Sequence, residues 1–459
     1  MKNSIRFSRV LCFVPPLASA VLLYYSFVPE WGFLLAHVAL APLFVSILRG
    51  CGFAPVCMFG CVFAALYFSW LTVFSPLAPI LMTALHGFWL CAGLWTVLRF
   101  RSADTPWKTL ILAGAGWIAS EWLRSFGPYG YEWGALGYSQ YGSLKLAAYS
   151  SIGGVWLVSA IVLGSNAIVT VGWLKMRQDW IGIATLYWVA LWVLSPSHHL
   201  SGEAPAAKSF ALVQTNISPW LKSLEREAVM QQQLGDLAVE AARSPAQNVV
   251  LPETLFSTEI TGMRGFLTEE PRALLMGFLA PSADRRLLVG AIEKDDRGFY
   301  NAAILFDGQG ERIASYRKRH LVPFGETIPG LENADWARSL GEKLGTPFFS
   351  AGDTHAPILF GHVPVAVLVC FEGTFSRLVA ESAAHARLIL NISNDAWSES
   401  EFGHAQHARF LRFRAIETGL PVLRVGNSGP TALFAPNGII LYEAHRPTPA
   451  VLDLDAFRS

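Results

Sequence analysis

Charge is what this sequence has least of. Asp, Glu, Lys and Arg make up 15% of its 459 residues, where an ordinary soluble domain carries about 25%. The formal net charge is +1, so the basic excess that would point to nucleic acid is missing. Cysteine is nearly absent from the polar half. Of the six cysteines, Cys12, Cys51, Cys57, Cys61 and Cys91 lie in apolar N-terminal segments, which argues against a disulfide framework and leaves Cys370 with no partner in its own half. Ser257 and Ser428 lack the GxSxG elbow of a serine hydrolase. No internal repeat or low-complexity tract stands out.

What is abundant is apolar surface: 53% hydrophobic residues, a mean hydropathy of +0.38 and 16 tryptophans, the balance of a membrane protein with interfacial aromatic anchors. Stretches of about 20 residues, the length that crosses a bilayer, fall at 10–28, 31–48, 53–74, 78–98, 107–125, 147–172 and 179–195. The first is read as a retained span, since it lacks a small-residue cleavage site and the next follows at once. Lys and Arg mark alternate loops: Lys2, Arg6 and Arg9 at the N-terminus, Arg49, then Arg99, Arg101 and Lys108, then Lys175 and Arg177. By the positive-inside rule those loops are cytoplasmic, and seven spans deliver everything after residue 196 to the far side.

The expected organisation is a membrane domain over 1–198 with about seven transmembrane helices, followed by an α/β domain over 205–459. In the second part short β-rich runs such as SFALVQTNI, NVVLPET, RLLVGAIE, VPVAVLVCF and ARLILNISN alternate with amphipathic stretches such as LKSLEREAVMQQQLGDLAVEAAR. Many of the runs are continuously apolar, as in a sheet covered on both faces.

Reactive side chains stand where such runs end, the place that α/β proteins use for chemistry. Glu253 ends NVVLPE, Cys370 ends VAVLVC, and Lys318 lies in YRKRHLVPFGE. Taken singly, a glutamate after a strand reads as a turn residue, a lysine among basic neighbours as a solvated face, and a cysteine as a small buried hydrophobe. Taken together they form a coherent set: a thiol nucleophile, a carboxylate base to activate it and an ammonium to stabilise an oxyanion. His404 and His407 sit three apart on a helical face without a third ligand, so no metal site is expected. Glu121, inside the fifth span with Arg124 nearby, reads either as a structural pair or as a functional group.

The motifs NVVLPET, YRKRHLVPFGE, VCFE and NISNDAW resemble those of the carbon-nitrogen hydrolase (nitrilase) superfamily. The segment ASEWLRSFGPYGYEWGALGYSQYGSLKLAAYSSIGGVWLVSAIVLGSNA looks like the last membrane spans of the apolipoprotein N-acyltransferase family, and HLVPFGE and RFRAIETGLPVLRVGNSG look like its soluble domain. The resemblance runs over most of the chain in family order. It implies a polytopic α-helical membrane domain followed by an α/β nitrilase-like αββα sandwich. It also implies a multi-pass enzyme of the bacterial inner (plasma) membrane whose catalytic domain faces the periplasm.

The implied reaction moves an acyl chain from a phospholipid, phosphatidylethanolamine being the expected donor, through a cysteine thioester to the N-terminal amine of a diacylglyceryl-cysteine lipoprotein. By motif, Cys370 is the nucleophile, Glu253 the general base and Lys318 the oxyanion lysine, while Glu326 and Glu372 support the site. Phe371 stands where the family often has tyrosine, Thr215 where a glycine is usual, and LPET replaces the more usual WPET. A further membrane span after the soluble domain also belongs to the family pattern, and the residues VLDLDAFRS are not apolar. No cofactor is called for. Loops at 256–268, 328–350 and 396–403 are expected to form a partly apolar lid, with Trp397 either lining an acyl pocket or packed in a core. The trio itself does not choose between water and an amine, so a membrane-tethered amidase, or an acyltransferase acting on another amine, is the alternative reading.

Overall fold

The computed structural model describes residues 11–102, 104–175, 179–199, 201–204, 209–218, 223–259, 269–280, 282–331, 348–398, 400–444 and 448–454. The chain divides into two compact units, Met1–His199 and Leu200–Ser459.

In the first unit the apolar stretches become helices: Val14–Tyr25, Phe33–Ala39 leading into Ala41–Leu48, Phe53–Tyr67, Leu77–Phe100, Pro106–Leu123, Ser150–Lys175 and Asp179–Val193. Among the described residues three segments, Glu30–Leu48, Leu77–Phe100 and Ser150–Lys175, are long and apolar enough, by length and composition, to cross a membrane. Ile80, Phe88, Trp95, Ile111, Ile181 and Leu186 are exposed. Large apolar side chains left uncovered in this number suit a lipid environment better than water. Glycine lets two helices touch by backbone: a Cβ on Gly116 would come within 2.0 Å of the Gly93 carbonyl oxygen, the close approach that small residues allow between membrane helices.

The interior of this unit is polar in places, and the buried carboxylate of Glu121 is well bonded. Glu121 accepts from the Trp117 indole, the Leu136 backbone N–H and the Ser159 hydroxyl, each at 2.7 Å. Its carboxylate therefore holds the start of the 3-10 turn Leu136–Gly142, while Arg124 donates to the Trp133 carbonyl at 3.1 Å and covers the Tyr131 ring. With three good donors, Glu121 has a structural use that accounts for its burial.

The second unit is built from two sheets. Among the described residues the first contains β1 (Phe210–Gln214), β2 (Asn248–Val250), β3 (Phe256–Glu259), β4 (Arg286–Asp295), β5 (Gly298–Phe306), β6 (Arg312–Arg317) and β13 (Ala450–Asp453), in the order β13-β1-β2-β4-β5-β6 with β3 also on β4. The second contains β7 (Ile358–Phe360), β8 (Val363–Val369), β9 (Leu388–Ser393), β10 (Val422–Gly426), β11 (Thr431–Phe434) and β12 (Ile440–Ala444), in the order β12-β11-β10-β9-β8-β7. Parallel pairs β1–β2–β4 and β8–β9–β10 form the two centres, and antiparallel strands complete the edges.

Phe210, Leu212, Val250 and Leu288 of the first sheet share one core with Val365, Val367, Leu390 and Val425 of the second. The opposite faces are covered by helices. Leu234 and Leu237 of Ser223–Ala242 and Phe278 of Glu269–Leu279 pack on the first sheet; Val379 of Ser376–Ala383 and Leu411 of Glu401–Thr418 pack on the second. This αββα sandwich explains the uninterrupted apolar runs, because a central strand buries both of its faces. Each fully buried Leu, Val or Phe contributes about 1.5–3 kcal/mol to holding the layers together.

Candidate active site

The parallel strands of both sheets stop at the same end of the sandwich, and the chemistry-bearing residues stand there. Glu253 follows β2 by three residues and is 5% exposed. The turn that carries it crosses β4 closely: a Cβ on Gly290 would lie 2.5 Å from the Glu253 Cα, so glycine is required beneath it. One Glu253 oxygen accepts from the Asn301 side-chain amide at 2.8 Å, and the other accepts from the Asn394 backbone N–H at 2.8 Å.

Lys318 follows β6 and is buried. Its ammonium donates to Glu326 at 2.9 Å and lies 3.6 Å from Glu253. Burial alone would drive the proton off, but the carboxylates of Glu326 and Glu253 outweigh it and hold the ammonium well above its ordinary range. Asn301 spans the same two carboxylates, giving 2.8 Å to Glu253 and 2.7 Å to Glu326 with one nitrogen. Glu326 is anchored in turn by the Val322 N–H at 2.8 Å.

Cys370 begins the 3-10 turn Cys370–Thr374 that ends β8, and its φ is +53°. That left-handed backbone costs a non-glycine residue about 1–3 kcal/mol and persists only where neighbours enforce it. Here they do: the Cys370 carbonyl accepts from Asn391 at 3.1 Å, and Glu372 grips both sides of the turn. Glu372 is fully buried and accepts from the Tyr316 hydroxyl at 2.9 Å, the Val369 N–H at 2.8 Å, the Arg319 N–H at 2.7 Å and the His320 N–H at 3.1 Å. It ties the cysteine turn to the loop after Lys318. Burial pushes its carboxyl up against the pull of those N–H groups.

The Cys370 thiol is pushed well above its ordinary range, first by burial and then by the negative charge of Glu253, with Lys318 pulling back only in part. At rest it is a neutral S–H beside a carboxylate. Phe371 packs edge-on to Phe375, with ring centroids 4.9 Å apart, and lies 5.7 Å from His320. His320 is itself held neutral, its pKa lowered to about 4 by burial and by the charge of Lys318.

Glu253, Lys318, Glu326, Cys370, Glu372 and Phe371 thus converge on one end of the sandwich. Of the loops expected to form a lid, 256–268, 328–350 and 396–403, residues 260–268, 332–347 and 399 lie outside the described residues, as does the side chain of Trp397. Thr215 donates its hydroxyl to Asn427 at 2.6 Å, and Asn427 also bonds Asn394 at 3.0 Å, so the hydroxyl at this position is absorbed by the network behind Glu253.

Sequence reasoning passed over Asn301, Asn391 and Arg424. Their signal is a lone polar residue inside a buried strand, as in FYNAAILF, LILNIS and PVLRVG. His407 proves part of a cluster: its ring nitrogen, an Asp395 oxygen and the Cys370 sulfur lie within 4.8 Å of one another, compact enough for metal ligands. Yet Asp395 is already bonded by Arg424, by the Ser393 hydroxyl at 2.9 Å and by His407 at 2.9 Å. The guanidinium supplies the positive charge, and the cluster is better read as a hydrogen-bonded network than as a cation site.

The carbon-nitrogen hydrolase family model matches residues 209–455, and that of the apolipoprotein N-acyltransferase N-terminal domain matches residues 19–168. Among curated relatives, the apolipoprotein N-acyltransferase of Nitrosomonas europaea is 32% identical over 78% of this chain and 70% of its own length. Apolipoprotein N-acyltransferase 1 of Treponema denticola is 29% identical over 88% of this chain and 82% of its own. The Chromobacterium violaceum apolipoprotein N-acyltransferase is 31% identical over 79% of this chain and 70% of its own.

Proposed function

Because the chain belongs to the apolipoprotein N-acyltransferase family and carries a carbon-nitrogen hydrolase domain, we propose that it transfers an acyl chain from a phospholipid to the N-terminal amine of a diacylglyceryl-cysteine lipoprotein through a thioester on Cys370. The observation that carries this reading is a half-buried thiol on a strained turn, its pKa pushed up by desolvation, set among Glu253 and the ammonium of Lys318, whose own pKa is raised by the carboxylates beside it.

In the first half-reaction Glu253 takes the thiol proton as the sulfur attacks the ester carbonyl of the donor. The Lys318 ammonium faces the oxygen that becomes negative, where a desolvated cation acts most strongly. The lysophospholipid alkoxide leaves with the proton from Glu253. In the second half-reaction Glu253 takes a proton from the incoming amine, the nitrogen attacks the thioester, and the thiol is released as the amide forms. Glu326 and Asn301 hold Lys318 and Glu253 in register throughout, and Glu372 braces the cysteine turn. Phosphatidylethanolamine is the proposed donor. The alternate basic loops support an inner-membrane protein whose catalytic unit faces the periplasm, and the apolar first unit keeps the enzyme in the membrane that holds both lipid substrates.

Purified protein mixed with phosphatidylethanolamine carrying a labelled acyl chain, then with a diacylated lipopeptide, tests this directly. Label moving from Cys370 to the peptide amine is the expected result. Label released as free fatty acid with the peptide untouched would replace the proposal with the amidase-like hydrolytic reading.

A further inference from the structure

A second charged cluster lies behind Cys370 in the same unit, and the acyl-transfer chemistry does not consume it. Arg424 is fully buried in β10 and stands in register beside Asn391 of β9. It donates to the Asn391 side-chain oxygen at 3.1 Å and to the Pro430 carbonyl at 3.0 Å, and its remaining arm donates to Asp395.

A guanidinium only donates, so Asn391 must turn its oxygen toward Arg424 and its NH2 toward Cys370, whose carbonyl accepts at 3.1 Å. On the other arm, Asp395 follows Asn394, whose backbone N–H is bonded to Glu253 at 2.8 Å. One side chain thus reaches both halves of the reaction centre: the strained nucleophile turn through Asn391, and the carboxylate through the 394–395 turn. A buried ion pair contributes little net stability compared with apolar side chains of the same size, so the stability of the core alone does not call for an arginine here.

We propose that Arg424 is a positioning residue that sets Cys370 and Glu253 at their working separation, with Asn391 as its link to the nucleophile. This rests on the reading of Cys370 as the acylated nucleophile and Glu253 as its base.

Two variants test it. Arg424→Lys keeps the charge but replaces a planar fork with a point donor that cannot serve three acceptors in fixed directions. Asn391→Asp keeps the shape and the bond to Arg424 while presenting an acceptor, rather than a donor, to the Cys370 carbonyl. The measurement is single-turnover acylation of Cys370 against phosphatidylethanolamine concentration in mixed micelles, per folded molecule recovered by gel filtration, alongside thermal unfolding.

In both variants the limiting acylation rate is expected to fall about 100-fold, the scale of an ångström misplacement, while the half-saturating lipid concentration stays within about twofold. A rate per folded molecule reduced by less than about tenfold, or a loss explained wholly by a smaller folded fraction, overturns the proposal. If Arg424→Lys does not fold, Asn391→Asp, which leaves the guanidinium and Asp395 in place, decides alone. Wild-type protein that forms no adduct would instead overturn the nucleophile reading, and this inference with it.

Discussion

The two sheets that meet at the site furnish it differently. The first sheet brings the acidic and basic groups, Glu253 after β2, Lys318 after β6 and Glu326 in the loop beyond, with the neutral amide of Asn301 in β5 bridging the two carboxyl groups and Lys318 set between them. The second brings a neutral thiol on a strained turn, with its charge hidden behind the nucleophile in Arg424 and Asp395. On the proposed mechanism the first wall handles protons and developing charge, and the second fixes where the sulfur stands. Substitutions in the first wall should therefore change chemistry more than shape, and those in the second should change the rate through geometry.

Cys370→Ala marks the limit of that contrast: the acyl adduct should vanish completely while the unfolding temperature stays close to that of wild type, since the substitution gives up a weak thiol hydrogen bond with Ser393 but keeps the backbone bonds that hold the turn. Intact mass and thermal unfolding check it, and residual adduct elsewhere on the chain would break the assignment. Glu253→Gln comes next. It preserves the bond to the Asn394 N–H but removes the base, and single-turnover acylation should fall by about 10²–10⁴.

The raised thiol gives a pH test of the second wall. Because the neutral form is favoured in the folded protein, thiolate is scarce at neutral pH and grows as pH rises toward the folded pKa. Alkylation by iodoacetamide at pH 7 should be at least about tenfold slower than that of an ordinary cysteine of pKa about 8.5 and should climb steadily through alkaline pH. Fast alkylation at pH 7 would mean a preformed thiolate and a different division of labour between the walls.

Glu372→Gln acts on the brace between them. An amide nitrogen would face donors where an oxygen now accepts, costing about 1–3 kcal/mol of stability and slowing acylation about tenfold through the displaced turn. The smallest effect is expected of Phe371→Tyr. It adds a hydroxyl to a ring whose place is set by Phe375 and His320, and acylation should stay within about twofold of wild type.

Much of the first wall was legible in the sequence, because Glu253 ends an apolar run, Lys318 and Glu326 share the motif YRKRHLVPFGE, and the residue types make a chemical set; Asn301, inside β5, was not. Strands with no polar alternation pointed to sheets covered on both faces, and the αββα layering itself followed from the family resemblance. Glu372 was legible as an acidic neighbour of the nucleophile, but not as a brace, because its donors at Arg319 and His320 lie some 50 residues away in sequence. Asn391 and Arg424 escaped for a similar reason: their adjacency is a matter of strand register, Arg424 opposite Asn391, and spacing within either run does not reveal which partner it meets. Glu121 shows the converse. Its isolation in an apolar span suggested function or an ion pair with Arg124, whereas three neutral donors from Trp117, Leu136 and Ser159 occupy it.

The central claim, that these walls act together to put an acyl chain on Cys370, is tested most directly by intact mass spectrometry after a single turnover with phosphatidylethanolamine at neutral pH. The account predicts one adduct of acyl mass, localised to Cys370, labile to hydroxylamine and absent from Glu253→Gln on the same timescale. An unmodified wild-type chain in the presence of turned-over lipid, or an adduct formed equally fast without Glu253, would contradict it.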